Sequence, residues 1–132
     1  MGKINSRQKG ARGEREVAHK LQEVLGIECR RGQQFSGLEG DDVVGWDGVH
    51  IESKFVEALN LQKAMEQSER DAGTDEVPVV IHKKNRKDML ITVRVDDLIR
   101  FSDALDDALC RRKGVVRVVE WSKSGSRTEE KV

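Results

Sequence analysis

Between Ser6 and Leu25 the apolar residues Val17, Ala18, Leu21, Val24 and Leu25 recur at three- and four-residue intervals, which is the repeat of one helix face, and Gly26 ends the run. The pattern then changes. A short strand is expected over 27–31, followed by a polar, glycine-bounded loop from Gly32 to Gly37. Asp42–Trp46 and Val49–Phe55 read as two strands of a hairpin joined at Asp47-Gly48, a dipeptide suited to tight turns. A second helix fits Leu61–Asp71, stopping at Gly73. Pro78 opens the apolar run Val79–His82, and Met89–Arg94 is its expected partner across the basic turn 83–88. A third helix, Asp96 to Cys110, carries Leu98, Phe101, Leu105, Ala108 and Leu109 on one stripe. A last strand is expected at 115–121 and a loose tail over 122–132. The order αβββαββα(β) gives an α/β fold in which helices flank a central mixed β-sheet.

Composition sets the scale. A chain of 132 residues, 36% hydrophobic and 36% charged, is expected to form a single thinly cored domain over 1–121, with its core at about 6–110. There is no apolar run of membrane-spanning length, and the N-terminus MGKINSRQKG lacks the apolar stretch of a signal peptide, so a soluble cytoplasmic protein with no membrane partner is expected. Cys29 and Cys110 stand alone, without metal-ligand or disulfide-framework spacing.

The formal net charge of +0 conceals a segregation. Residues 1–36 carry 8 Lys/Arg against 4 Asp/Glu, a net of +4; residues 37–77 carry 3 against 11, a net of −8; residues 78–132 carry 13 against 9, a net of +4. An acidic centre between basic ends suits a metal-carboxylate site approached by a phosphate backbone, although charge runs are also common on plain solvated faces.

Two stretches carry candidate chemistry. On the first helix, at about 100° per residue, Glu14 lies about 20° from both Leu21 and Leu25 and about 40° from Ala18, so a carboxylate sits on the apolar stripe. It needs a cation or a basic partner. In the strand 49–55 alternation places His50, Glu52 and Lys54 on one face and Val49, Ile51, Ser53 and Phe55 on the other. Asp42 begins the partner strand, within reach of Glu52. Two acids and a lysine meet the needs of phosphodiester hydrolysis: hard oxygen ligands for a divalent cation, and a positive group beside the attacking water. Glu-x-Lys alone carries little, since Glu129-Glu-Lys131 repeats it. His50 shares the polar face, as a proton carrier or a hydrogen-bonding neighbour. Lys83–Lys87 would grip a duplex backbone or serve solubility alone, and Phe35, Trp46 and Trp121 are too few for a single-strand stacking platform.

Lys9-Gly-Ala-Arg-Gly-Glu14-Arg-Glu-Val17, Ser36-Gly37, Asp42-Val-Val-Gly45 and His50-Ile-Glu52-Ser-Lys54 together resemble the PD-(D/E)XK nuclease superfamily, most closely the archaeal-type Holliday junction resolvases and their phage-encoded relatives. The resemblance implies a restriction-endonuclease-like core and a structure-selective endonuclease that cuts four-way DNA junctions symmetrically as a homodimer. It implies Mg²⁺, with Mn²⁺ as a substitute, held by Asp42, Glu52, the Ser53 carbonyl and Glu14, with Lys54 serving the nucleophile. Lys9, Arg12, Arg15, Arg31 and Ser36 are implied as DNA contacts. The position before the metal Asp is commonly Pro in the superfamily and is Asp41 here, which leaves Asp41 as an alternative ligand; the Val-Val-Gly that follows favours Asp42. Gln67 occupies a position where phage-type relatives often carry Gln. A nickase or repair nuclease acting on duplex or flap DNA, or a DNA-binding module without catalysis, would share these features.

Overall fold

The structure is a computed structural model that describes the backbone of residues 6–32, 42–113, 117–121 and 127–131, and the side chains of residues 10–32 and 42–110. Helix α1 (Ser6–Leu25) ends as its sequence dictates: Gly26 adopts φ 70° and donates its N–H to the Gln22 carbonyl at 2.8 Å, closing the helix in the left-handed conformation that glycine takes most easily. Three antiparallel strands follow, β1 (Arg30–Arg31), β2 (Val43–Val44) and β3 (Val49–Lys54), with Arg31 opposite Val43 and Val43 opposite Ile51. Helix α2 (Leu61–Asp71) then crosses over to β4 (Val77–His82), which lies parallel to β3 from Val49↔Val77 to Lys54↔His82. A parallel neighbour requires such a crossover, and α2 supplies it. Strand β5 (Leu90–Val93) returns antiparallel to β4, completing a five-stranded mixed sheet in the order β1-β2-β3-β4-β5. A short 3-10 turn (Val95–Asp97) leads into α3 (Leu98–Lys113).

The sheet is covered on both faces. Val17, Ala18, Leu21 and Leu25 of α1 and Ala104 and Ala108 of α3 pack on Val49, Ile51, Val77, Val79 and Ile81, while Ala64 and Met65 of α2 pack on Val80 from the other side. This is the expected α/β layering with a restriction-endonuclease-like core. Strand β3 is thus buried on both faces, so any charged residue it carries must find its partners inside the protein.

Several local expectations change. The β2–β3 connection is longer than a two-residue hairpin: it runs from Gly45 to Gly48, with a turn closed by Val49 N–H on the Trp46 carbonyl at 3.3 Å. Gly45 (φ 119°) is confined there, because a Cβ would stand 2.1 Å from the Glu28 carbonyl oxygen. That connection swings Trp46 inward, where its indole N–H donates to the Ala104 carbonyl of α3 at 3.2 Å. Val24 and Leu98, expected on buried stripes, are 55% and 48% exposed. Within the expected loose tail, β7 (Arg127–Lys131) pairs antiparallel with β6 (Arg117–Trp121) as a separate two-stranded sheet; the alternation available to β6 needs a hydrogen-bonding partner, and β7 provides it.

Candidate active site

The β2–β3 register sets the centre of the site. With Val43 opposite Ile51, the residue before Val43 comes level with the residue after Ile51, so Asp42 and Glu52 stand side by side. Asp42 Oδ2 accepts the Ser53 N–H at 2.8 Å, which fixes its carboxylate against β3. Burial pushes the Asp42 carboxyl up to about 7, and the nearby carboxylates of Glu52 and Glu14 add to this against the opposing Ser53 hydrogen bond. Three acids from α1, the start of β2 and β3 therefore lie near one another, with Asp42 raised chiefly by burial. Hard oxygen donors of this kind fit a divalent cation, for which Asp42, Glu52 and Glu14 are the candidate ligands.

The other sequence-predicted residues fall around this centre. Lys54 Nζ lies 3.6 Å from Glu52 Oε1, with the lysine side chain 29% exposed and that of the glutamate 6%. Alternation along β3 is as expected, because His50 also faces Glu52, its Nε2 3.9 Å from Glu52 Oε2. Glu14 is half-buried and receives the Arg31 Nε–H at 2.6 Å, so Arg31, expected at DNA phosphates, holds the helix-one acid. Arg12 and Arg15 line a groove together with Phe55 and Lys83. Ser36 and Asp41 lie outside the described residues, as does the side chain of Lys9. Gln67 is half-buried on α2.

Sequence reasoning missed Asp71. It ends α2, and one of its oxygens, one Glu52 oxygen and one His50 ring nitrogen all lie within 4.8 Å of one another. The signal was present: at about 100° per residue Asp71 falls about 20° from Ala64, on the helix face that Ala64 and Ser68 bury. That face is locked to the sheet by the Ser68 hydroxyl, which donates to the Val79 carbonyl at 2.9 Å.

The groove has a volume of about 580 Å³ and is lined by Arg12, Arg15 and His19 of α1, Phe55 after β3, and Lys83, Lys84 and Asn85 of the β4–β5 connection. Its walls are tied to β3 and the segment after it. Lys83 N–H donates to the Lys54 carbonyl at 3.2 Å, and Asn85 N–H donates to Glu57 Oε1 at 3.1 Å. Lys83 Nζ reaches Glu16 Oε1 at 3.1 Å and stands 5.9 Å from the Phe55 ring centroid. Gly13 permits the close packing of Phe55 against α1, for a Cβ there would meet the ring at 3.0 Å. Four cations, Arg12, Arg15, Lys83 and Lys84, line the groove against the single acid Glu16, which Lys83 engages.

Among the described residues no helix is long and apolar enough to cross a membrane. No curated protein and no solved structure matches the chain. A family model described as "Phage putative PDDEXK endonuclease" matches residues 5–120, a span that contains α1, the whole five-stranded sheet, the converging carboxylates and the basic groove. With that match over most of its length, and with acids and lysine assembled at one end of β3, the chain belongs to this phage PDDEXK endonuclease family.

Proposed function

We propose that the protein is a Mg²⁺-dependent, structure-selective endonuclease that resolves four-way DNA junctions by paired, symmetric phosphodiester hydrolysis. The observation that carries the nuclease chemistry is the convergence of Asp42, Glu52 and Glu14 beside Lys54. The four-motif resemblance to junction resolvases carries the choice of substrate.

In this reading the Asp42, Glu52 and Glu14 carboxylates and the Ser53 carbonyl would hold the cation, which would supply Lewis-acid withdrawal of charge from the scissile phosphate. The Lys54 ammonium orients a water for in-line attack, so that the new P–O bond forms as the bond to the leaving oxygen breaks. Arg31 is well placed to exchange Glu14 for a DNA phosphate as the site fills, and Arg12, Arg15, Lys83 and Lys84 neutralise the flanking backbone. Lys9 and Ser36 complete the DNA contacts. A four-way junction is two-fold symmetric, so paired cuts call for a C2 homodimer with two sites. Val95, Leu98 and Ile99 leave apolar surface exposed at the start of α3 that suits such an interface. The setting is the cytoplasm of an infected cell, where branched DNA intermediates arise.

The test compares a labelled four-way junction with a linear duplex of the same sequence, in Mg²⁺, Mn²⁺ and EDTA. Metal-dependent nicks placed symmetrically in opposing arms, lost in Glu52→Gln while junction binding persists, are expected. Equal cutting of the linear duplex would replace the junction with duplex or flap DNA, and binding without cutting under every condition would leave only a DNA-binding module.

A further inference from the structure

The mechanism above leaves a buried imidazole and a helix-terminal acid unused, and both converge on Glu52. His50 precedes Glu52 by two residues in β3, so the two side chains share the face that α2 covers. Both residues are nearly sealed from solvent, at 1% and 4% exposure. Asp71 comes from the last turn of α2, and its carboxylate closes the group, with one atom from each residue inside 4.8 Å. Glu52 is consequently addressed on both oxygens: Lys54 Nζ stands 3.6 Å from Oε1, and His50 Nε2 stands 3.9 Å from Oε2.

We propose that His50 and Asp71 are positioning residues that hold the Glu52 carboxylate ready for the divalent cation, with His50 bridging between the two acids. The inference rests on the reading of Glu52 as a metal ligand. An imidazole has a nitrogen on each side of its ring and so can face two carboxylates at once. Buried in the sheet, His50 faces one Glu52 oxygen at 3.9 Å, leaving the other on the Lys54 side. Asp71 brings a carboxylate oxygen within 4.8 Å of the ring, and does so from α2, which the Ser68 hydroxyl fastens to β4. The arrangement has the logic of outer-shell support at metal sites: a ligand that is already oriented loses less freedom when the ion binds, and removing such support typically weakens metal affinity by about 10-fold to 100-fold.

The experiment is calorimetric titration of the full chain with Mn²⁺, alongside Mn²⁺-dependent nicking of a junction. Asp71→Asn and His50→Leu should each raise the Mn²⁺ Kd by about 10-fold or more with unchanged stoichiometry, and saturating Mn²⁺ should recover most of kcat at an unaltered KM for DNA. His50→Gln, which keeps a polar group near the same place, should recover part of the lost affinity. If the His50 variants fail to fold, Asp71→Asn, altered at a half-buried helix end, decides alone. A Kd within about twofold of wild type in folded variants overturns the inference, because a purely structural role would lower melting temperature and leave metal affinity intact. Loss of one whole Mn²⁺ equivalent overturns it as well, since His50 or Asp71 would then be a ligand. Glu52→Gln separates the two levels: if it too binds Mn²⁺ normally, the site assignment itself fails, whereas loss of binding there alone defeats only the positioning role.

Discussion

Replacing Asp42 with Asn should make the metal-free protein more stable at pH 8 while removing its response to metal. Burial and the neighbouring acids raise the Asp42 carboxyl from 3.8 to about 7, so above pH 7 the folded protein carries a carboxylate that the unfolded chain accommodates more easily. The folded state binds the extra proton between these values, so stability falls as pH rises from about 4 to about 7 and levels off above. A shift of roughly three units corresponds to a ceiling of about 4 kcal/mol. Partial solvent access and proton sharing with Glu52 reduce this to about 1–2 kcal/mol, or roughly 3–8 °C in a domain of this size. Asparagine is the informative replacement: its carbonyl still accepts the Ser53 N–H, and its amide can donate to Glu52. Thermal melts in EDTA at pH 5, 6, 7 and 8, repeated with Mg²⁺, test the reasoning. The wild type should melt lower at pH 8 than at pH 5 in EDTA and regain stability with Mg²⁺; the variant should be flatter in pH and unresponsive to the ion. A variant less stable than wild type at pH 8 in EDTA, or a wild-type profile that rises with pH, would refute uncompensated charge at Asp42.

Lys54→Ala should lower kcat for nicking by about 100-fold or more with DNA affinity preserved, as single-turnover kinetics and gel shifts would report. Lys84→Ala should weaken DNA binding similarly for all sequences and flatten the plot of log K against log salt by about one unit, provided Lys84 faces a phosphate. Gly45→Ala should destabilise the protein by about 3 kcal/mol or more in denaturant melts, because its Cβ would meet the Glu28 carbonyl at 2.1 Å and its φ of 119° suits glycine alone. Ser68→Ala should cost about 1–2 kcal/mol by leaving the buried Val79 carbonyl without its 2.9 Å donor.

Much of this protein was legible in its sequence because the determinants are local. Helix α1 over Ser6–Leu25 and α2 over Leu61–Asp71 follow from apolar spacing and from stop signals at Gly26 and Gly73. Alternation in 49–55 placed His50, Glu52 and Lys54 together, the apolar stripe of α1 singled out Glu14, and the start of the partner strand singled out Asp42. Tertiary structure decided what each of these groups meets. Which Glu14 partner is present depended on β1 bringing Arg31 beside α1, a contact across 17 residues. The raised Asp42 carboxyl depended on three elements burying their acids together, which no single segment encodes. Asp71 entered the site only because α2 crosses over between parallel β3 and β4 and sets its last turn above His50 and Glu52. Likewise, the exposure of Val24 and Leu98 depends on what folding packs around them. Periodicity shows which side of an element is apolar, whereas the charge state and reach of a side chain depend on the neighbours that folding supplies.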